Sequence, residues 1–217
     1  MKPTIPDGRT RAGPATLRRC QELLLAGRLE AALACLSRCL ENDPEAASAY
    51  SLRAGIEQRR GDYQQALADI ERALALRPNH VGDRHNRAVV LASLGRQAEA
   101  ISEYEKVLQL EPDSAGTLNN LAWLLVTARD PGLRDCRRAI ELARRAVAAH
   151  RSGAWLDTLA AAHAECGEFQ RAVELESEAY ALSQPPNQAF RKRLELYRRG
   201  IRSSDKLSTG SATELDT

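Results

Sequence analysis

The chain has 217 residues and a formal net charge of +2, with 31 basic and 29 acidic side chains mixed along its length. That balance exerts no strong pull on nucleic acid or an anionic membrane surface, and no apolar run approaches the roughly 18 to 20 residues that span a bilayer. Side chains are 43% hydrophobic but only 4% aromatic, so an interior must be made of alanine and leucine at close helix spacing, which favours an all-α chain.

Residues 1–13 carry Pro3, Pro6, Gly8 and Gly13 and no apolar segment. A flexible N-terminus is expected there, without the features of a secretory signal. The first unit, about residues 14–46, opens at Thr16 and Leu17. Its Cys20, Ala32 and Cys39 stand where Ala54, Ala66 and Ala73 stand in a second unit, about 47–80. In the third, about 81–114, the spacing predicts a helix over 86–94, with Ala88, Leu91 and Ala92 on one face. Gly95 ends it in the left-handed conformation, and a second helix carries Ala100, Tyr104 and Val107 as far as Pro112. Gly27, Gly61 and Gly95 are 34 residues apart, as are Ala32, Ala66 and Ala100, and Pro44, Pro78 and Pro112.

A fourth unit, about 115–152, begins with a helix over 117–127 that aligns Leu118, Leu121, Ala122 and Leu125. Ala122 to Ala139 is 17 residues, whereas Ala54 to Ala66 and Ala88 to Ala100 are each 12, so five residues are inserted. They fall in 128–135, where Asp130, Pro131 and Gly132 signal a turn and Asp135 is placed to cap the next helix. A fifth unit, about 153–186, restores the pattern with Leu159, Ala160, Gly167, Phe169, Ala172 and Ala179. Pro185 and Pro186 then precede a capping helix over 188–200, apolar at Phe190, Leu194 and Tyr197. Arg191, Lys192, Arg193, Arg198 and Arg199 read as its solvated face. Residues 203–217, rich in serine and threonine, are expected to form a disordered tail.

This period, with small residues where helices touch and a proline after the second helix, resembles the tetratricopeptide repeat. In the second unit the matching residues are Tyr50, Ala54, Gly61, Tyr63, Ala66, Ile70, Ala73 and Pro78. Arg53 and Glu57 depart from the family's leucine and aromatic. The resemblance implies an α-solenoid, a right-handed superhelix of five helix-turn-helix repeats spanning 14–202 with its capping helix, read as one domain. Residues 118–123, 156–162 and 194–200 also resemble the C-terminal repeat arrays of large bacterial tetratricopeptide proteins. That implies an alternative role as a regulatory or localising segment of a larger multidomain enzyme such as a kinase.

Five cysteines without framework spacing fit reduced thiols, and with them a cytoplasmic location. Cys35 with Cys39, and His163 with Cys166, each resemble half a metal site, but repeats hold the halves too far apart to share an ion. No glycine-flanked nucleophilic serine, phosphate loop or His-Glu-x-x-His occurs. No catalytic residue, metal, cofactor or small-molecule substrate is therefore expected, and the chain is read as a non-enzyme.

Binding of a protein or extended peptide is the expected role, on the concave face lined by the first helix of each repeat. Helical phase places Ser51, His85, Asn86, Asn119, Asn120, Asp157 and Thr158 along that groove, with Trp123 beside them. Asparagines offer a donor and an acceptor at once to a peptide backbone, and Trp123 offers a flat apolar anchor. The same asparagines can instead bond neighbouring helices, and Trp123 can belong to the core. Gly116 and Asn120 occupy positions where Lys and Arg would be needed to clamp a terminal carboxylate.

Overall fold

The structure, a computed structural model, describes residues 14–183 and 185–208. The expectations for residues 1–13 and 209–217 lie outside the described residues. All regular elements among the described residues are helical. The sequence period suggests one array, but the chain divides into two compact units, Met1–Arg96 and Gln97–Thr217, parted in the turn after Gly95.

The first unit holds α1 (Pro14–Leu25), α2 (Leu29–Asn42), α3 (Ala47–Arg60), α4 (Tyr63–Leu76) and α5 (Val81–Ser93). Neighbours in sequence pack on one another. Between α1, α2 and α3 lies an apolar cluster of Cys20, Ala32, Cys35, Leu36, Cys39, Leu40, Ala49 and Ile56. Burying a side chain of the size of Leu36 or Ile56 stabilises by about 1.5 to 3 kcal/mol. Arg53 and Glu57, the two departures from the repeat pattern, do not leave a hole. Arg53 grips Asp69 of α4 through Nε and Nη2, at 2.6 and 2.7 Å, and Glu57 stands 3.9 Å from Arg53. Burial, with Asp69 nearby, pushes the Glu57 carboxyl up to about 7.

The second unit comprises α6 (Gln97–Leu110), α7 (Ala115–Thr127), α8 (Cys136–Ala149), α9 (Gly153–Glu165), α10 (Phe169–Leu182), α11 (Gln188–Arg198) and α12 (Ser203–Ser208). The capping helix α11 buries Phe190, Leu194 and Tyr197, the stripe expected of it. Gly153, at the start of α9, lies so close to α10 that a Cβ there would stand 2.8 Å from the Ala179 carbonyl oxygen. The inserted residues form a single 3-10 turn, Pro131–Leu133. Asp130 accepts from the Gly132 N–H at 2.9 Å and Asp135 caps α8 by accepting from the Arg138 N–H at 2.9 Å. Arg134 Nε donates to the Ala128 carbonyl at 2.7 Å. Residues 203–208 are not the expected tail but α12, because Asp205 accepts from the Arg202 N–H at 3.1 Å, half of a capping box, and the serine hydroxyls find partners.

One local device recurs where the sequence period places it. Gly27, Gly61, Gly95, Gly167 and Gly200 all have positive φ, from 69° to 83°. After α5 the Gly95 N–H donates to the Ala92 carbonyl at 3.0 Å and the Arg96 N–H to that of Leu91 at 2.9 Å, the two bonds of a Schellman turn. Nothing lies within 4 Å of where a Gly95 Cβ would be, so a side chain there meets only conformational strain. Gly95→Val is therefore expected to lower stability by about 1 kcal/mol or more. An unchanged denaturant midpoint would show the turn tolerates a branched residue. The small-residue position of the repeat is alanine and closed to solvent: Ala32, Ala66, Ala100, Ala139 and Ala172 are all 0% exposed.

The cysteines correct the reduced-thiol expectation. Cys20 and Cys35 form a disulfide between α1 and α2, and Cys136 and Cys166 form another between the start of α8 and the end of α9. Only Cys39 is a free thiol, buried in the alanine-like slot expected of it. Partners 15 and 30 residues apart meet because helix pairing brings their Cα atoms to 5.5 and 5.4 Å, within bridging range.

Candidate functional site

The eight groove positions fall in both units. In the first, Ser51 lies on α3, and His85 and Asn86 lie on α5, all half-buried. Ser51 is committed within the fold. Its hydroxyl is 2.6 Å from Asp83 and 2.9 Å from Arg77 Nη2, and Arg77 pairs with the buried Asp83 at 2.9 Å. Burial lowers the His85 pKa, which favours the neutral imidazole.

The second unit brings more together. Trp123 and Asp157 are one 34-residue period apart on α7 and α9, and Arg193 of α11 reaches both. Arg193 Nε donates to Asp157 Oδ1, and its guanidinium lies 5.7 Å from the Trp123 ring centroid and 5.5 Å from that of Phe190. Arg193 is thus not part of a solvated basic face. Asp157 is 6% exposed, and Thr158 is buried with its hydroxyl donating to the Ala154 carbonyl at 3.2 Å, so neither stands free in a groove. Trp123 is only half-buried, between the two roles the sequence left open.

Behind this triad, Glu176 of α10 is 0% exposed, with Arg193 Nε 3.6 Å from Oε1 and no conventional hydrogen bond to either oxygen. Two carboxyls face one guanidinium. Burial, then the neighbouring Asp157, raises the Glu176 pKa well above the usual carboxylate range, and a proton on Glu176 relieves the like-charge conflict. A group whose folded pKa is raised stabilises most below its unfolded value, about 4.3, and that contribution is lost as pH rises through the folded value. Glu176→Gln should therefore lose less stability than the parent between about pH 6 and pH 9, by about 1 kcal/mol or more. Parallel denaturant titrations read this, and equal slopes would mean Glu176 is ionised throughout.

Asn120 and Tyr104, on α7 and α6, share a side-chain hydrogen bond, the structural use of a groove asparagine. Asn119 differs: its Oδ1 is buried with no hydrogen-bond partner. Glu103 is 2% exposed and paired with Lys106 at 2.7 Å. His163 and Cys166 do not form half a metal site. Cys166 is in a disulfide, and buried His163 meets Glu168 at 2.7 Å. Among the described residues no cluster of His, Cys, Asp and Glu is arranged to hold a metal. No helix among them is long and apolar enough to cross a membrane.

Two sequence models of the tetratricopeptide repeat family match, over residues 17–81 and 52–118. The chain belongs to the tetratricopeptide repeat family. Solved structures agree on the α-solenoid fold of this tetratricopeptide protein. A tetratricopeptide repeat protein from Parabacteroides merdae is 16% identical with a TM-score of 0.71, over 86% of this chain and 72% of that one. A MamA fragment from Desulfovibrio magneticus is 20% identical at 0.69, over 81% and 99%. YrrB, described as a tetratricopeptide protein with an unusual peptide-binding site, is 18% identical at 0.67, over 86% and 91%. No curated protein matches the chain.

Proposed function

We propose that this tetratricopeptide protein is a protein-interaction scaffold whose first helices hold an extended peptide or protein segment, without chemistry of their own. The observation that carries the reading is the pairing, on α7, of a half-buried Trp123 beside the Arg193 guanidinium with the half-buried Asn119 one turn earlier. A flat ring beside a side-chain amide suits the backbone and an apolar side chain of a bound segment. The peptide-binding site ascribed to YrrB supports the same use of the fold. His85 and Asn86 on α5 offer the first unit a smaller polar surface of the same kind.

The test is affinity and melting temperature measured together on a partner captured from native lysate. Asn119→Ala leaves a backbone carbonyl of the partner unpaired at about 1 to 3 kcal/mol, a five- to hundredfold weakening, with little change in melting. Trp123→Ala should weaken binding as well. Asn120→Ala is a poorer probe, since it also strands the Tyr104 hydroxyl, and Gln109→Ala, at an exposed position, serves as the control. Unaltered affinity in the Asn119 and Trp123 variants would move the binding surface elsewhere.

The cytoplasmic expectation drew on the lack of a secretory signal and of a membrane-spanning run, and four of five cysteines in disulfides remove only the reduced thiols that accompanied it.

A further inference from the structure

After the Gly200 turn the chain does not run on away from the array. Helix α12 packs against α7 and α9, two of the helices that carry the proposed binding face. Its first two residues attach through their hydroxyls. Ser204 is 1% exposed and donates to Glu165 Oε2 at 2.6 Å, at the C-terminal end of α9, and Ser203 meets the Tyr197 hydroxyl of α11 at 3.0 Å. The other carboxylate oxygen of Glu165 faces Arg134 of the inserted loop at 3.7 Å. One carboxylate thus joins the insertion and the C-terminal segment, two features outside the repeat pattern.

We propose that this end of the α7 and α9 face is a docking surface already occupied by the chain's own segment Ser203–Ser208, which must leave before a partner can use it. The inference rests on the binding reading above and adds its regulation. Two hydroxyl hydrogen bonds, at Ser203 and Ser204, make a weak closure, because each such bond contributes little net while ordering the segment costs conformational entropy. Tethering makes the closure work, since a short linker supplies an effective concentration on the order of millimolar. A partner needs only to outcompete that local concentration. The chemistry the surface accepts is visible in its occupant: a turn of helix presenting a small hydroxyl donor to Glu165.

The probe is a fluorescein-labelled peptide of residues 201–217, titrated to about 1 mM, the order of the effective concentration of a short tether. In the full chain, Ser204→Asp sets a second carboxylate against Glu165 and opens the closure, leaving the surface free for the peptide. The Ser204→Asp chain should bind the peptide at least tenfold more tightly than the unaltered chain. Adding Glu165→Ala should abolish that gain. Ser204→Ala, which removes the hydrogen bond without adding charge, should act in the same direction more weakly, so the test survives if Ser204→Asp folds poorly. Equal binding by the unaltered and Ser204 chains, no binding by either Ser204 variant at about 1 mM, or binding retained without Glu165 would each overturn the proposal. This assay needs no external partner, so a negative result with Asn119 or Trp123 variants bears on the binding reading alone.

Discussion

Arg193→Ala should destabilise the second unit by about 3 to 5 kcal/mol, the usual consequence of removing one member of a buried ion pair. The arginine holds Asp157 by a hydrogen bond and stands 3.6 Å from a Glu176 that is fully buried. Without it, two acidic groups face each other with no counterion, and the only relief is to take up protons or let water in. The loss should be largest at alkaline pH, where both carboxyls ionise. Replacing the cluster together, as Arg193→Met with Asp157→Leu and Glu176→Leu, should restore much of the stability, because a buried ion cluster adds little beyond what apolar packing of the same volume supplies. Denaturant midpoints at neutral and alkaline pH decide it, and a cost below about 1 kcal/mol would mean the cluster is open to solvent.

The second large effect concerns the disulfides. Closing a loop of 15 residues restricts the unfolded chain by about 3 kcal/mol, and one of 30 residues by slightly more. Reduction should therefore lower the midpoint sharply, and Cys136→Ala with Cys166→Ala should reproduce the larger share. Alkylation of the denatured, unreduced chain should label one thiol, Cys39, against five after reduction. Five labelled thiols without reductant would show that the bridges do not form in the protein as isolated.

What the sequence made legible was what is local. A Schellman turn needs one glycine at the right place, so a 34-residue rhythm of glycines placed turns that the structure forms at Gly27, Gly61 and Gly95. Asp135 was readable as a cap because a cap acts on a residue three positions on. The bridges were not readable, since which helix faces which decides whether Cys20 meets Cys35, and the interval between them carries no framework signature. Arg193 was misread for the same reason. On its own helix it belongs to a basic run, and only the neighbouring first helix, 36 residues back, supplies the aspartate that draws it in. Spacing did hold a clue, because Trp123 and Asp157 are a full period apart and Arg193 nearly a second one. The serines of α12 read as disorder by composition because their partners, Tyr197 and Glu165, lie outside their own segment.

The closed alanine position has a consequence for how this protein tolerates change. At Ala32, Ala66, Ala139 and Ala172, all at 0% exposure, truncation has almost nothing to remove, so the familiar penalty of an emptied core is absent. Harm comes instead from enlargement. A single added methylene must push paired helices apart or force an off-rotamer side chain, at about 1 to 3 kcal/mol. In a saturation library these sites should accept glycine or serine and reject almost every larger residue. Their tolerance map would be set by a ceiling on volume, and the repeat period could be read from variant survival alone.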